Sequence, residues 1–224
     1  VSRGGLVAEA PGVKFCGLTR AEDVAHAVAL GADYVGVVFA PSPRRVSVED
    51  AARLLDGVRV PVRRVGVFGD PGAAFVLDAA RAAGLDVVQL HGCTSVADVE
   101  AVRTAFRGEV WSVVRIGPTG LGQEQRPLAT AAHGVVLDTL SSRGLGGTGE
   151  SFDWAGVADA VGEIRHRTRV IVAGGLRAEN VGRAIRVLAP DVVDVSSGVE
   201  SAPGVKDHGR MRAFVDAVRR ADRG

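Results

Sequence analysis

Valine-rich runs alternate along this chain with alanine-rich segments in which apolar positions recur every third or fourth residue. The runs at 13–16, 33–38, 62–67, 86–90, 110–114, 134–137, 169–172 and 192–195 are predicted strands. Between them, Ala21–Leu30, Val48–Leu55, Ala73–Ala83, Val96–Phe106 and Ala178–Leu188 are predicted helices. Strands that alternate with helices pack as parallel βαβ units, and eight such units predict a closed (βα)₈ TIM barrel, an α/β fold of one domain. The segment 115–133 is the least regular. Pro118, Gly120 and Gly122 open it and leave room for one or two helical turns.

Three strand entries are alike. In 30–39, 83–92 and 189–198 a Gly or Pro ends a helix, an Asp follows, and a valine-rich strand begins. Such an internal repeat suits a barrel assembled from copied units. Helix starts carry their own signals. Thr19 to Glu22, Ser47 to Asp50 and Ser95 to Asp98 fit the pattern of a capping hydroxyl three residues before an acid. Asp70-Pro71 offers a cap followed by a first-turn proline, and Asp153 before Trp154 offers another cap.

The length of 224 residues fits one barrel, slightly below the ~250 typical of the fold. A formal net charge of +1 gives no global field for nucleic acid or an anionic membrane, so neither partner is expected. No apolar run approaches the ~20 residues that span a bilayer. The opening VSRGGLVAEAPG lacks the apolar stretch of a signal peptide and is expected to be a flexible extension over residues 1–12, before a barrel over 13–224. Two cysteines, Cys16 and Cys93, do not make a disulfide framework, and a reducing cytoplasm is the expected setting. The basic residues are almost all arginine; Lys14 and Lys206 are the only lysines.

In a βα barrel, reactive groups stand at the C-terminal ends of strands. Strand 1 ends in Cys16-Gly17, strand 4 in Gln89-Leu90-His91, strand 6 in Asp138-Thr139, strand 7 in Gly174-Gly175 and strand 8 in Asp194 to Gly198. The glycines after strand 7 and Ser197-Gly198 after strand 8 expose backbone N–H groups in the two units where barrels often bind phosphate. Strand alternation turns Lys14 and Cys16 to the same interior face. A buried lysine needs an anionic partner, and Asp194 on the neighbouring last strand is the candidate. Cys93 is expected to be an incidental thiol, and His26, His133, His166 and His208 surface or packing residues. The glycine-rich loop Thr139–Ser151 is expected to be a mobile lid. No His/Cys cluster suggests a metal.

The segments KFCGLTR (14–20), SPRRVS (42–47), VGVF (65–68), QLHG (89–92), LDT (137–139), GGTGESFDW (146–154), AGGL (173–176), NV (180–181), DVSSGVE (194–200) and PGVKDH (203–208) resemble phosphoribosylanthranilate isomerases. The resemblance runs from about Val13 to Arg220. It implies a cofactor-free, metal-free Amadori rearrangement of phosphoribosylanthranilate in tryptophan biosynthesis, by a monomer or homodimer. It makes Cys16 the general base and Asp138 the general acid. Arg44 is matched to the arginine that binds the substrate carboxylate, with Arg45 directly after it as the alternative. Gln89, His91 and Asp194 are expected to touch substrate, with a structural strand-end histidine as the alternative for His91, and Gly174, Gly175, Ser197 and Gly198 its phosphate. A histidine-pathway sugar isomerase is the rival, but the resemblance gives that family an aspartate where this chain has Cys16. A non-catalytic phosphate-binding barrel is a second rival, against which intact Cys16, Asp138 and Arg44 argue.

Overall fold

The computed structural model describes residues 10–69, 72–92, 95–118, 120–140 and 151–222. Eight parallel strands close into a barrel in chain order. They are β1 (Gly12–Phe15), β2 (Tyr34–Val38), β3 (Arg63–Phe68), β4 (Val87–Leu90), β5 (Glu109–Ile116), β6 (Gly134–Thr139), β7 (Arg169–Val172) and β8 (Val192–Val195). The helices outside are α1 (Ala21–Ala29), α2 (Val48–Leu55), α3 (Ala73–Ala82), α4 (Val96–Ala105), α5 (Arg126–Ala131), α6 (Trp154–Ile164), α7 (Val181–Leu188) and α8 (His208–Asp222). After β8 come a 3₁₀ turn (Ser197–Val199) and a small antiparallel hairpin, β9 (Glu200–Ala202) with β10 (Val205–Lys206). β5 runs two residues past the predicted strand, and a 3₁₀ turn at Gln123–Gln125 leads into the single short helix α5. Residues 1–9, Asp70-Pro71, Cys93 and most of the expected lid, 141–150, lie outside the described residues.

The repeated Asp before a strand has a structural purpose. Asp33, Asp86 and Asp191 precede β2, β4 and β8, and each carboxylate accepts a backbone N–H from the strand before, at Val13, Arg64 and Val170. Before β6 the same place is held by His133, whose Nδ1 accepts the N–H of Val110 in β5 at 3.0 Å. Every odd strand is thus tied to its even successor at the N-terminal rim. His133 is therefore a structural residue, and burial holds its pKa below the ordinary value, in keeping with an unprotonated Nδ1.

Ser47 and Ser95 cap α2 and α4 through the amides of Asp50 and Asp98, as the pattern predicts. Thr19 does not cap α1. The cap position falls at Arg20, and the Thr19 hydroxyl instead donates to the Gly204 carbonyl in the β9–β10 turn at 2.6 Å. At α3 the cap position is Gly72, and Asp153 occupies the cap of α6 without a side-chain bond to it. Helix α7 begins at Val181 rather than Ala178 because Asn180 binds the loop: its Oδ1 accepts from the Arg177 amide and its Nδ2 donates to the Gly175 carbonyl.

The lower end of the barrel is filled. Tyr34, Val65, Val87, Trp111, Val136, Ile171 and Val192 form a buried interior layer, with the Tyr34 and Trp111 rings packed edge to face at 5.0 Å. Below them Glu109 accepts from the Trp111 indole at 3.0 Å and pairs with Arg63 and Arg169. Truncating a buried ring of this size costs about 3–5 kcal/mol. With that end sealed, open space is left at the C-terminal ends of the strands.

Candidate active site

That space is a cleft of about 770 Å³, counting the part open to solvent. Cys16, Arg44, Gln89, His91, Asp138, Gly174, Gly175, Asp194, Ser197 and Gly198, all named from the sequence, line it together. Arg45 does not; it is exposed and faces a separate groove beside α2.

The floor is a charged layer. Lys14 is fully buried, and its Nζ donates to Asp194 Oδ2 at 2.5 Å and to Gln89 Oε1 at 3.1 Å. The expected ion pair across the β1–β8 seam is present, and the register sets Lys14 beside Asp194. Gln89 reaches the site by fixing this lysine. Burial works against the charge of Lys14, but Asp194 and Cys16 beside it hold its pKa above the ordinary value.

Cys16 follows β1 directly and is buried. Burial pushes its thiol up, while Lys14 and Lys206 nearby pull the other way without reversing the shift. Asp138, near the end of β6, is pushed up to about 6. Burial is the main cause; the Thr139 N–H on Oδ1 at 2.8 Å lowers it, and the charge of Asp194 raises it. Above it stands His91, Nε2 at 3.7 Å from Asp138 Oδ2. That is too long for a hydrogen bond. Burial also lowers His91 to about 4, so the imidazole is neutral wherever the carboxylate is ionised, and the contact is no ion pair. Among the described residues, three buried polar atoms here have no partner: His91 Nε2, Thr139 Oγ1 and Asp194 Oδ1.

The shifted carboxyl links pH to stability. Its pKa is higher folded (about 6) than unfolded (about 4), so the folded state loses stability as pH rises through that window. The loss is absent below pH ~4, complete above pH ~6 and worth roughly 3 kcal/mol. Asp138→Asn is therefore expected to unfold at higher denaturant concentration than the parent at pH 8 and at the same concentration at pH 4. A difference independent of pH would contradict this assignment.

Along the loops after β7 and β8, backbone replaces side chains in the lining of the cleft. Gly174 has φ +80°, and a Cβ there would lie 2.6 Å from the Thr139 nitrogen and 2.8 Å from Asp138 Oδ1. Gly198 lies against the β7–α7 loop, where a Cβ would fall 1.9 Å from the Leu176 carbonyl oxygen. No hydrogen bond among the described residues engages the N–H groups of Gly174, Gly175, Ser197 or Gly198. Beside Gly17, Arg44 pairs with Glu200, Nε to Oε1 at 2.8 Å and Nη2 to Oε2 at 2.7 Å. Glu200 in turn accepts from Lys206, whose Nζ also donates to the Cys16 carbonyl at 2.6 Å. Sequence reasoning missed the parts played by Glu200 and Lys206, although both lie in segments that carry the resemblance, DVSSGVE and PGVKDH, and Lys206 is one of only two lysines.

Residues 13–217 match the family described as N-(5'-phosphoribosyl)anthranilate (PRA) isomerase. The chain belongs to this family. The isomerase of Pseudomonas aeruginosa (strain LESB58) is 38% identical over 208 residues, 92% of this chain and 94% of that protein. A structure of monomers generated from the dimeric isomerase of Thermotoga maritima superposes with TM-score 0.79 at 36% identity, covering 93% of this chain and 98% of the other. Another isomerase structure, in complex with reduced 1-(o-carboxyphenylamino)-1-deoxyribulose 5-phosphate, has TM-score 0.78 at 34% identity, covering 93% and 98%. As a member of the PRA isomerase family, the chain is an enzyme of the isomerase class. No helix among the described residues is long and apolar enough to cross a membrane, and no three His, Cys, Asp or Glu side chains among them are grouped to hold a metal ion.

Proposed function

We propose that the chain converts N-(5'-phosphoribosyl)anthranilate to 1-(2-carboxyphenylamino)-1-deoxyribulose 5-phosphate in tryptophan biosynthesis, with Asp138 as general acid and Cys16 as general base. The observation that carries this reading is a single cleft with a buried carboxyl of pKa about 6 and a buried thiol flanked by lysines. An acid must protonate the ribose ring oxygen so that the C1–O bond breaks and the anthranilate nitrogen forms an iminium at C1. A carboxyl kept neutral near pH 6 by burial is suited to that step. A base must then take the proton from C2, leaving an enolamine that tautomerises to the ketone. Thiolate at Cys16 is suited to it, with Lys14 stabilising the charge. The rearrangement gains and loses no electrons overall, so its own balance calls for no redox cofactor.

Two parts of the cleft fit the two anionic groups of this substrate. The free N–H groups of Gly174, Gly175, Ser197 and Gly198 suit the phosphate. Arg44 suits the carboxylate, which an arginine binds through paired hydrogen bonds. The unpartnered His91 Nε2 and Asp194 Oδ1 suit the sugar hydroxyls between them. Arg44→Ala is expected to raise KM for this substrate by roughly 10–100-fold, the loss of a charged hydrogen-bonding group, with kcat little changed. Arg45→Ala is expected to leave KM as it is. The reverse result would move the carboxylate anchor to Arg45.

A further inference from the structure

Glu200 opens the β9 strand, buried, with both carboxylate oxygens committed: to Arg44 through Nε and Nη2, and to Lys206 through Nζ at 2.8 Å. Lys206 carries the contact inward, to the carbonyl of Cys16 at 2.6 Å and that of Ser196 at 3.2 Å. The hairpin that bears both residues is itself pinned to α1. Asp23 Oδ2 accepts the Lys206 N–H at 3.1 Å, and Thr19 donates to Gly204. The stem of Arg44 passes over Gly17, where a Cβ would lie 2.5 Å from Arg44 Cδ. None of these contacts enters the proton transfers.

We propose that Glu200 and Lys206 are a positioning pair that holds the Arg44 guanidinium with its free edge turned to the substrate's carboxylate, in fixed relation to the backbone that carries Cys16. The proposal rests on Arg44 being that anchor. Glu200 takes Nε and one Nη2 hydrogen, which leaves Nη1 and the second Nη2 hydrogen for a ligand. Arginine loses much rotamer freedom when ordered, and a guanidinium already held by two bonds has less to lose on binding. Charge explains the third member. An Arg44–Glu200 pair alone is neutral and attracts an anion weakly. With Lys206 protonated the group sums to +1, so the site keeps its attraction for a carboxylate while the arginine stays fixed; burial holds the Lys206 pKa below its ordinary value, against the pull of Glu200. Glu200 remains ionised there: burial raises its pKa, but the bonds from Arg44 and the charge of Lys206 outweigh that and hold it below the ordinary value.

The test is a double-mutant cycle read by steady-state kinetics with N-(5'-phosphoribosyl)anthranilate, on the parent, Glu200→Gln, Arg44→Ala and the double variant. Expected for Glu200→Gln is a KM about tenfold higher with kcat within about threefold, since one charged hydrogen-bonded partner is lost. In the Arg44→Ala background the same substitution should add nothing to KM, because its effect on carboxylate binding passes through that guanidinium; an effect through Lys206 on the Cys16 thiol is read in kcat instead. An unchanged KM in Glu200→Gln while Arg44→Ala raises it would overturn the proposal, as would full additivity of the two. An unchanged KM in Arg44→Ala would instead remove the anchor assignment, and the positioning role with it. If Glu200→Gln does not fold, Glu200→Gln/Lys206→Met removes both charges together, and the same comparison against Arg44→Ala decides.

Discussion

In Cys16→Ala, kcat falls by ~10²–10⁴, the usual contribution of a positioned general acid or base. The variant is expected to fold, because the thiol is not part of the ion pairs that hold the layer beneath it. Lys14 keeps Asp194 and Gln89, and Lys206 binds the residue-16 carbonyl, which alanine retains. KM should change little, since the phosphate and carboxylate contacts proposed for the glycine amides and Arg44 do not involve the thiol. A measured kcat near that of the parent would show that another group takes the C2 proton.

In Asp138→Asn, kcat falls by a similar ~10²–10⁴, because an amide cannot deliver the proton the ring oxygen needs. The pH profile of kcat/KM in the parent tests the same pair. With the proposed roles, activity needs thiolate at Cys16 together with neutral Asp138, the reverse of the usual order, because the base has the higher pKa. Below pH 6 the carboxyl is neutral and activity rises with the thiolate fraction. Between the two pKa values the gain in thiolate offsets the loss of protonated acid, giving a plateau on which a small fraction of molecules is competent. Above the thiol pKa, activity falls as the last neutral carboxyl is lost. The profile should therefore rise to a limb near pH 6 and fall only in the alkaline range. A fall beginning at pH 6 would mean that the thiol is not the group being titrated.

Much of this was legible in the sequence because the barrel repeats one grammar. Val-rich runs located the strands, three of them after Gly-x-Asp or Pro-Asp entries, and the Asp of each entry proved to bond the preceding strand. The fourth copy was hidden because His133 does the same work with a ring nitrogen. The ten candidate residues could be named together because the fold brings C-terminal strand ends to one rim, where all ten line one cleft. Local signals failed where a distant partner competed. Thr19 fits a capping pattern, yet its hydroxyl serves Gly204, 185 residues away. Glu200 and Lys206 carried no local signal, since their partners Arg44 and Cys16 lie 156 and 190 residues off. Composition gave no sign of the raised pKa of Asp138, which follows from burial that only the closed barrel creates.

The central claim, an isomerase working through Cys16 and Asp138, is tested most directly by single-turnover conversion of N-(5'-phosphoribosyl)anthranilate. Product would be followed by chromatography for the purified parent and for Cys16→Ala/Asp138→Asn. The expected result is formation of the aminoketose by the parent and almost none by the double variant, with both proteins folded. Equal conversion by the two, or none by the parent, would contradict the account.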